Sequence, residues 1–362
     1  MSEKLTNILG YTTLIALLAA IWVLFGEDPT LEQGGRGEKL FPELEATIDT
    51  VSVIRIGQGG DDKVTLLSGD TGWTVQERNG YAADPAKVRD ILRGLFQSTR
   101  REPKTDNQDR MDRIGLDESA LDVRLLAAAE TPLATVKIGT RKEGATGRSL
   151  TYVLKKEDSR SWLVSDIPEL SENPAWWIVP DVYAIDPDRV ASLDFGRYTL
   201  VRADTPGDMI LSEIAQGETA KTGYQVSEPL RVLTSLQVED VQKLSNPIVD
   251  PVTSIALTTF DGLDIDFAIY QLEESFWLQV RPSYDPAKLE QDASVSDAVS
   301  DAAVDAETVA QEFPGAPQDG AAEAAELTAD TAGWLYKLSP ADAVVLLRDR
   351  SEYVEAAAPE QN

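Results

Sequence analysis

A fixed order of short apolar runs and one helical stripe occurs twice along this chain, and a repeat of that kind constrains the fold more than any single motif. In the first pass "VSVIRI" (51–56), "KVTLL" (63–67) and "WTVQ" (73–76) are β-branched or apolar runs broken by Gly and Asp, as in a strand meander. "GYAADPAKVRDILRGLFQ" (80–97) then reads as a helix. Asp84 caps it, Pro85 suits its first turn, and Val88, Ile91, Leu92, Leu95 and Phe96 form one apolar stripe. Strands resume at "LDVRLLAAA" (121–129), "PLATVKIG" (132–139), "LTYVL" (150–154) and "SWLV" (161–164), and "NPAWWIVPDVY" (173–183) reads as a short closing helix. From Val190 the same order returns as "VASLDF", "YTLVRA" and "DMILSE". "GYQVSEPLRVLTSLQ" (223–237) follows, with Val232, Leu233 and Leu236 standing where Ile91, Leu92 and Leu95 stood. "TSIALTTF", "LDIDFAIYQ", "SFWLQVR" and "GWLYKL" precede a helical "SPADAVVLLRDRSEYV" (339–354). The expected fold class is α+β: an N-terminal transmembrane helix followed by two similar β-rich α/β repeats, 40–188 and 189–355.

The transmembrane expectation rests on residues 8–26, "ILGYTTLIALLAAIWVLFG", a run of nineteen without a charge. That is close to the roughly 20 residues a helix needs to cross the hydrocarbon layer. Leu14, Leu17, Leu18, Ile21, Trp22 and Phe25 are its anchoring side chains. No small-x-small cleavage site follows, so the run reads as an uncleaved single-pass anchor rather than a signal peptide. Lys4 at its inner end places the N-terminus in the cytoplasm and the main body in the periplasm, which makes the bacterial inner membrane the expected location. Residues 1–26 are then a cytoplasmic stub and anchor, 27–39 a flexible linker, and 356–362 a disordered tail. Residues 291–330 hold ten acids and no base. They predict a disordered insert over about 286–331, replacing the tight connection "KKEDSR" (155–160) of the first repeat.

Composition excludes several function classes. With 33 Lys and Arg against 62 Asp and Glu, the net charge of −29 opposes nucleic acid phosphates. There is no cysteine and no histidine, which removes thiolate nucleophiles, Ser-His and Cys-His mechanisms and the usual zinc ligands. No P-loop or glycine-rich dinucleotide fingerprint is present, so any ATPase must be another subunit. "DGLDID" (261–266) lacks EF-hand spacing and reads as a strand with a solvated face. No residue is assigned to catalysis, to a cofactor or to a metal. Trp73, Trp162, Trp277 and Trp334 read as core; adjacent Trp176 and Trp177 cannot both face one core easily, which makes them the candidate partner surface.

"LFPEL" (40–44), "VSVIRI", "GW" with "GYAADPAKVRDIL", "REPKT" (101–105), "IGLDE" (114–118), "SWLV" and "YKLSPADAVVLL" (336–347) together resemble the bacterial domain-of-unknown-function family DUF4340. The resemblance runs over nearly the whole body apart from the acidic insert. It implies a non-catalytic, membrane-anchored accessory subunit of an ABC-type, gliding-motility-like transport or envelope system. Its partners would be the permease, the ATPase and a second auxiliary membrane protein; no cofactor is implied. Where relatives tend to carry Trp-Leu-Asp, this chain has Trp177, Ile178 and Val179. The alternative reading is an extracytoplasmic glycan- or lipid-binding protein, or a hydrolase using a carboxylate pair.

Overall fold

The computed structural model describes residues 35–143, 149–202, 208–244, 250–287 and 319–356. The chain divides into two compact units. One comprises the described parts of Met1–Thr65 and Ala86–Glu172; the other comprises those of Leu66–Pro85 and Asn173–Asn362.

After a single helical turn at Leu44–Thr47 and a 3-10 turn at Ile48–Thr50, the first part runs β1 (Val53–Gln58), β2 (Asp61–Gly69), β3 (Gly72–Val75) and β4 (Tyr81–Ala82). Helix α1 (Pro85–Gln97) follows, then β5 (Arg100–Pro103), β6 (Leu121–Leu126), β7 (Pro132–Glu143), β8 (Ser149–Lys155) and β9 (Trp162–Ser165). The sheet order is β4-β3-β2-β1-β6-β7-β8-β9-β5. The chain passes from the first unit into the second within β2 and returns at Pro85. Strand alternation explains the core: Ile54, Ile56, Val123, Leu125, Val136 and Val153 are buried, while Arg55, Arg124 and Lys137 between them reach solvent. On α1 the 3.6-residue period buries Val88, Ile91, Gly94 and Leu95. Gly94 is required there, because a Cβ would lie 2.5 Å from Cδ of Pro168. The loop carrying "IGLDE" crosses β7 so closely that a Cβ on Gly139 would meet the Ile114 carbonyl at 2.4 Å. Beneath that crossing Met111, Leu116 and Ala120 form a small apolar cluster with Ile114, Tyr152 and Leu154.

The second part runs β10 (Asp181–Ala184), β11 (Val190–Asp194), β12 (Thr199–Arg202), β13 (Met209–Leu211), β14 (Glu218–Ala220), helix α2 (Tyr224–Thr234), β15 (Ser235–Gln237) and β16 (Asp240–Lys243). Then come β17 (Thr253–Thr259), β18 (Leu263–Leu272), β19 (Ser275–Tyr284), α3 (Gly320–Thr331), β20 (Trp334–Lys337), α4 (Pro340–Leu346) and β21 (Val354–Ala356). The eight-stranded sheet has the order β13-β12-β11-β17-β18-β19-β20-β16. With β4 set aside, this is the order of the first sheet strand for strand. In each sheet a three-strand meander leads into a helix, and the next sheet strand lies at the far edge. β10-β15 and β14-β21 form two separate two-stranded ribbons.

The fold class is corrected by these elements. Among the described residues 43% are strand and 27% helix, so the molecule is mostly β rather than α+β. Antiparallel neighbours join through hairpins and need few crossover helices, which is why helix stays the minor component. "NPAWWIVPDVY" gives one 3-10 turn, Pro174–Trp177, and then strand β10. "SPADAVVLLRDRSEYV" is helical only over Pro340–Leu346 before a second 3-10 turn and β21. No helix among the described residues is long and apolar enough to cross a membrane. The run at 8–26, with Leu14, Leu17, Leu18, Ile21, Trp22 and Phe25, lies outside the described residues, and so do linker residues 27–34 and tail residues 357–362.

The acidic insert is also corrected at both ends. Residues 286–287 are ordered beyond β19, and α3 occupies Gly320–Thr331, where disorder was expected; 288–318 lie outside the described residues. Alanine has the highest helix propensity, and the Asp319 carboxylate caps α3 by accepting from the Ala322 N–H at 3.0 Å. Small residues then let the helix lie close on β19: a Cβ on Gly320 would sit 2.5 Å from the Tyr284 ring.

Candidate functional site

The segment expected to carry partner contacts folds as a 3-10 turn whose start is fixed by Asn173, its Oδ1 accepting from the Ala175 N–H at 3.1 Å. Trp177 is fully buried, and Trp176 lies partly buried against it, edge-on with ring centroids 4.7 Å apart. The Trp177 carbonyl accepts the Asp84 N–H at 2.7 Å, just before α1 begins at Pro85. Trp177 is therefore a packing residue. Tyr81 has a similar place: its ring meets Trp334 edge-on at 4.9 Å and Tyr336 at 6.5 Å. Burial, with Asp330 nearby, pushes its phenol up to about 12. Lys243 lies over the Trp334 ring, its Nζ 3.6 Å from the centroid. Trp162 is buried in the equivalent strand, and Trp277 packs against Ala268, Tyr270 and Leu335.

A groove of about 510 Å³ lies beside α4 in the second unit. Its geometry follows from local capping. Ser339 Oγ accepts the Asp342 N–H at 3.1 Å and donates to the Asp342 carboxylate at 2.7 Å, while Pro340 opens the helix at its first position. Residues 344–347 are four consecutive apolar side chains, and at 100° per residue a helix cannot bury them all. Val345 and Leu346 turn inward, leaving Val344 66% exposed on the groove. The Leu338 N–H donates to the Phe276 carbonyl at 2.9 Å, which brings the start of β19 to the groove's other wall.

Charged residues share the lining with these apolar ones. Glu239 is 3.7 Å from the Lys337 ammonium. Arg348 pairs with Glu228 at 2.5 Å and approaches Glu352 at 3.9 Å. Partial burial works against the Arg348 charge, yet the hydrogen bond and the charge of Glu228 outweigh it and hold the guanidinium above its ordinary value. Glu274, on the turn between β18 and β19, faces the groove with no ion-pair partner among the described residues. Both cations of the rim are thus engaged, and the surplus charge is negative.

Two smaller cavities lie on solvated sheet faces. One, about 350 Å³, is lined by Asp62, Asp122, Arg124 and Lys137 in the first unit; the other, about 310 Å³, by Asp194, Asp266 and Arg281 in the second. In the first, Arg124 is hydrogen-bonded to Asp62, which marks a cross-strand ion-pair surface. One carboxylate pair is drawn together elsewhere: Asp261 and Glu323 both accept from Arg189. Among the described residues no group of three or more carboxylates is placed to hold a metal ion. Val344 was missed in sequence because the apolar run around 344 reads as core throughout, and Glu274 because an acid on a hairpin turn reads as ordinary solvated surface. The one signal available was that four successive apolar residues overfill a single helix face.

A family model described as "Domain of unknown function (DUF4340)" matches residues 73–253, half of the chain. The matched stretch includes α1, Trp176 and Trp177 and ends before the groove residue Glu274. No curated protein and no solved structure matches the chain. The chain belongs to the DUF4340 family, defined by a domain of unknown function.

Proposed function

We propose that the protein is a non-catalytic accessory subunit of an ABC-type, gliding-motility-like transport or envelope system. In this reading it acts at the extracytoplasmic side of the bacterial inner membrane, by contact with the permease, the ATPase subunit and a second auxiliary membrane protein. The observation that carries the reading is the groove of about 510 Å³ in the second unit, where apolar Phe276, Leu338, Leu347 and an exposed Val344 share the lining with charged side chains. An apolar surface rimmed by polar groups is the usual form of a protein contact site. The chain's lack of histidine, cysteine and a P-loop supports the same reading, since ATP turnover then belongs to a partner.

Affinity purification of the tagged full chain from gently solubilised membranes tests it. The permease and ATPase are expected in the same complex at near-stoichiometric yield. Recovery of the protein alone, from cells that express all the subunits, contradicts the reading.

A further inference from the structure

Resting on the accessory-subunit reading, we infer that the groove beside α4 receives a partner segment that is apolar along one side and flanked by lysine or arginine. Three observations select that chemistry. Phe276, Leu338, Val344 and Leu347 supply an apolar lining, and Val344 leaves 66% of its surface open, so side chains of the same kind gain most by covering it. Lys337 and Arg348 are already held by Glu239 and Glu228, whereas Glu274 has no ion-pair partner among the described residues, so the rim offers negative charge to an incoming chain. The whole molecule carries −29, and its field therefore draws in cationic segments and repels acidic ones. The protein's own residues 291–318 contain acids and no base, and like charge at the rim opposes their entry.

A helix laid in an apolar groove is a recurrent mode of peptide recognition, read through anchors at i, i+3, i+4 and i+7. The probe is accordingly a synthetic helical peptide with a leucine stripe at that spacing and lysines at both ends. A second peptide has glutamates in place of the lysines. Binding to the full chain is followed by fluorescence anisotropy. The lysine peptide is expected to bind at least about ten-fold more tightly than the glutamate peptide, and more weakly as salt rises. Val344→Asp is expected to weaken the lysine peptide by about ten-fold or more, as loss of a contact residue at the centre of an interface does. Glu274→Lys should weaken the lysine peptide and strengthen the glutamate peptide. Both positions are exposed, and an unchanged thermal unfolding curve shows that the variants fold.

Equal affinity for the two peptides, or full binding by Val344→Asp, overturns the inference. Self-association that Val344→Asp abolishes overturns it too, because the groove then belongs to a second copy of this chain. Co-purification separates this inference from the reading beneath it. If the native chain brings down the permease and ATPase while its groove ignores both peptides, the groove assignment fails and the accessory role stands.

Discussion

Arg189 joins two carboxylates that are far apart in sequence. Its side chain is 4% exposed. Nε and Nη2 donate to Asp261 at 3.0 and 2.6 Å, and Nη1 and Nη2 donate to Glu323 at 2.8 and 2.7 Å. Burial alone would lower the guanidinium pKa, but the hydrogen bonds to Glu323 and Asp261 more than reverse it and keep the residue charged. Removing one partner of a buried ion pair strands the other charges, at a cost of roughly 3–5 kcal/mol. Glu323 retains 21% of its side-chain surface, which places the expected loss at the lower end of that range. Arg189→Met should therefore lower the urea midpoint by the equivalent of about 3 kcal/mol with an unchanged slope. A loss below about 1 kcal/mol would mean that the pair is solvated and works as a surface bridge. Sequence alone gave no sign of this contact, because "PDR" at 187–189 looks like any exposed turn.

Among the elements, α1 and α3 differ in how they are specified. α1 carries its own instructions in Pro85 and in the apolar spacing of Val88, Ile91 and Leu95, so it is legible from a short window. α3 has a single bulky apolar residue, Leu327, which is only partly buried; of its side chains only Ala324 and Thr331 are buried. It is held by Glu323 on Arg189, and by Thr328, whose hydroxyl donates to the Ala324 carbonyl at 2.6 Å and lies 3.4 Å from the Pro282 carbonyl. Partners that distant in sequence cannot be read from local composition, which suggested disorder instead. Two deletions distinguish the parts of the insert. Removing residues 291–318 shortens one connection, and loop closure changes by only about 0.6 kcal/mol per doubling of length, so the melting temperature should stay within a few degrees. Removing 291–331 takes α3 as well. It leaves Arg189 short of one carboxylate and uncovers the β19 flank, and it should lower the midpoint clearly. Equal melting curves for the two deletions would show that α3 contributes no stability.

At the scale of the whole molecule, one strand order is used in two sheets, and the surroundings of each sheet differ. Short apolar runs were enough to find most of these strands, since period-two burial is a local property. The balance of helix and strand was less legible: the segments around Trp176 and Tyr353 contain helix-compatible residues but fold into 3-10 turns followed by strands. The groove was not legible at all. Its lining comes from four separate stretches, around 239, 274–276, 337–344 and 347–352, and one sequence does not reveal which of them meet. In the proposed function these same stretches receive the partner. The most direct test places a photo-reactive amino acid at position 344 of the full chain in living cells, with position 252, 55% exposed in the native chain, as the control. A covalent adduct from position 344 to a subunit of the proposed ABC-type system is expected, and none from 252. Equal labelling from both positions, or no adduct to such a subunit from 344, would contradict the proposed function.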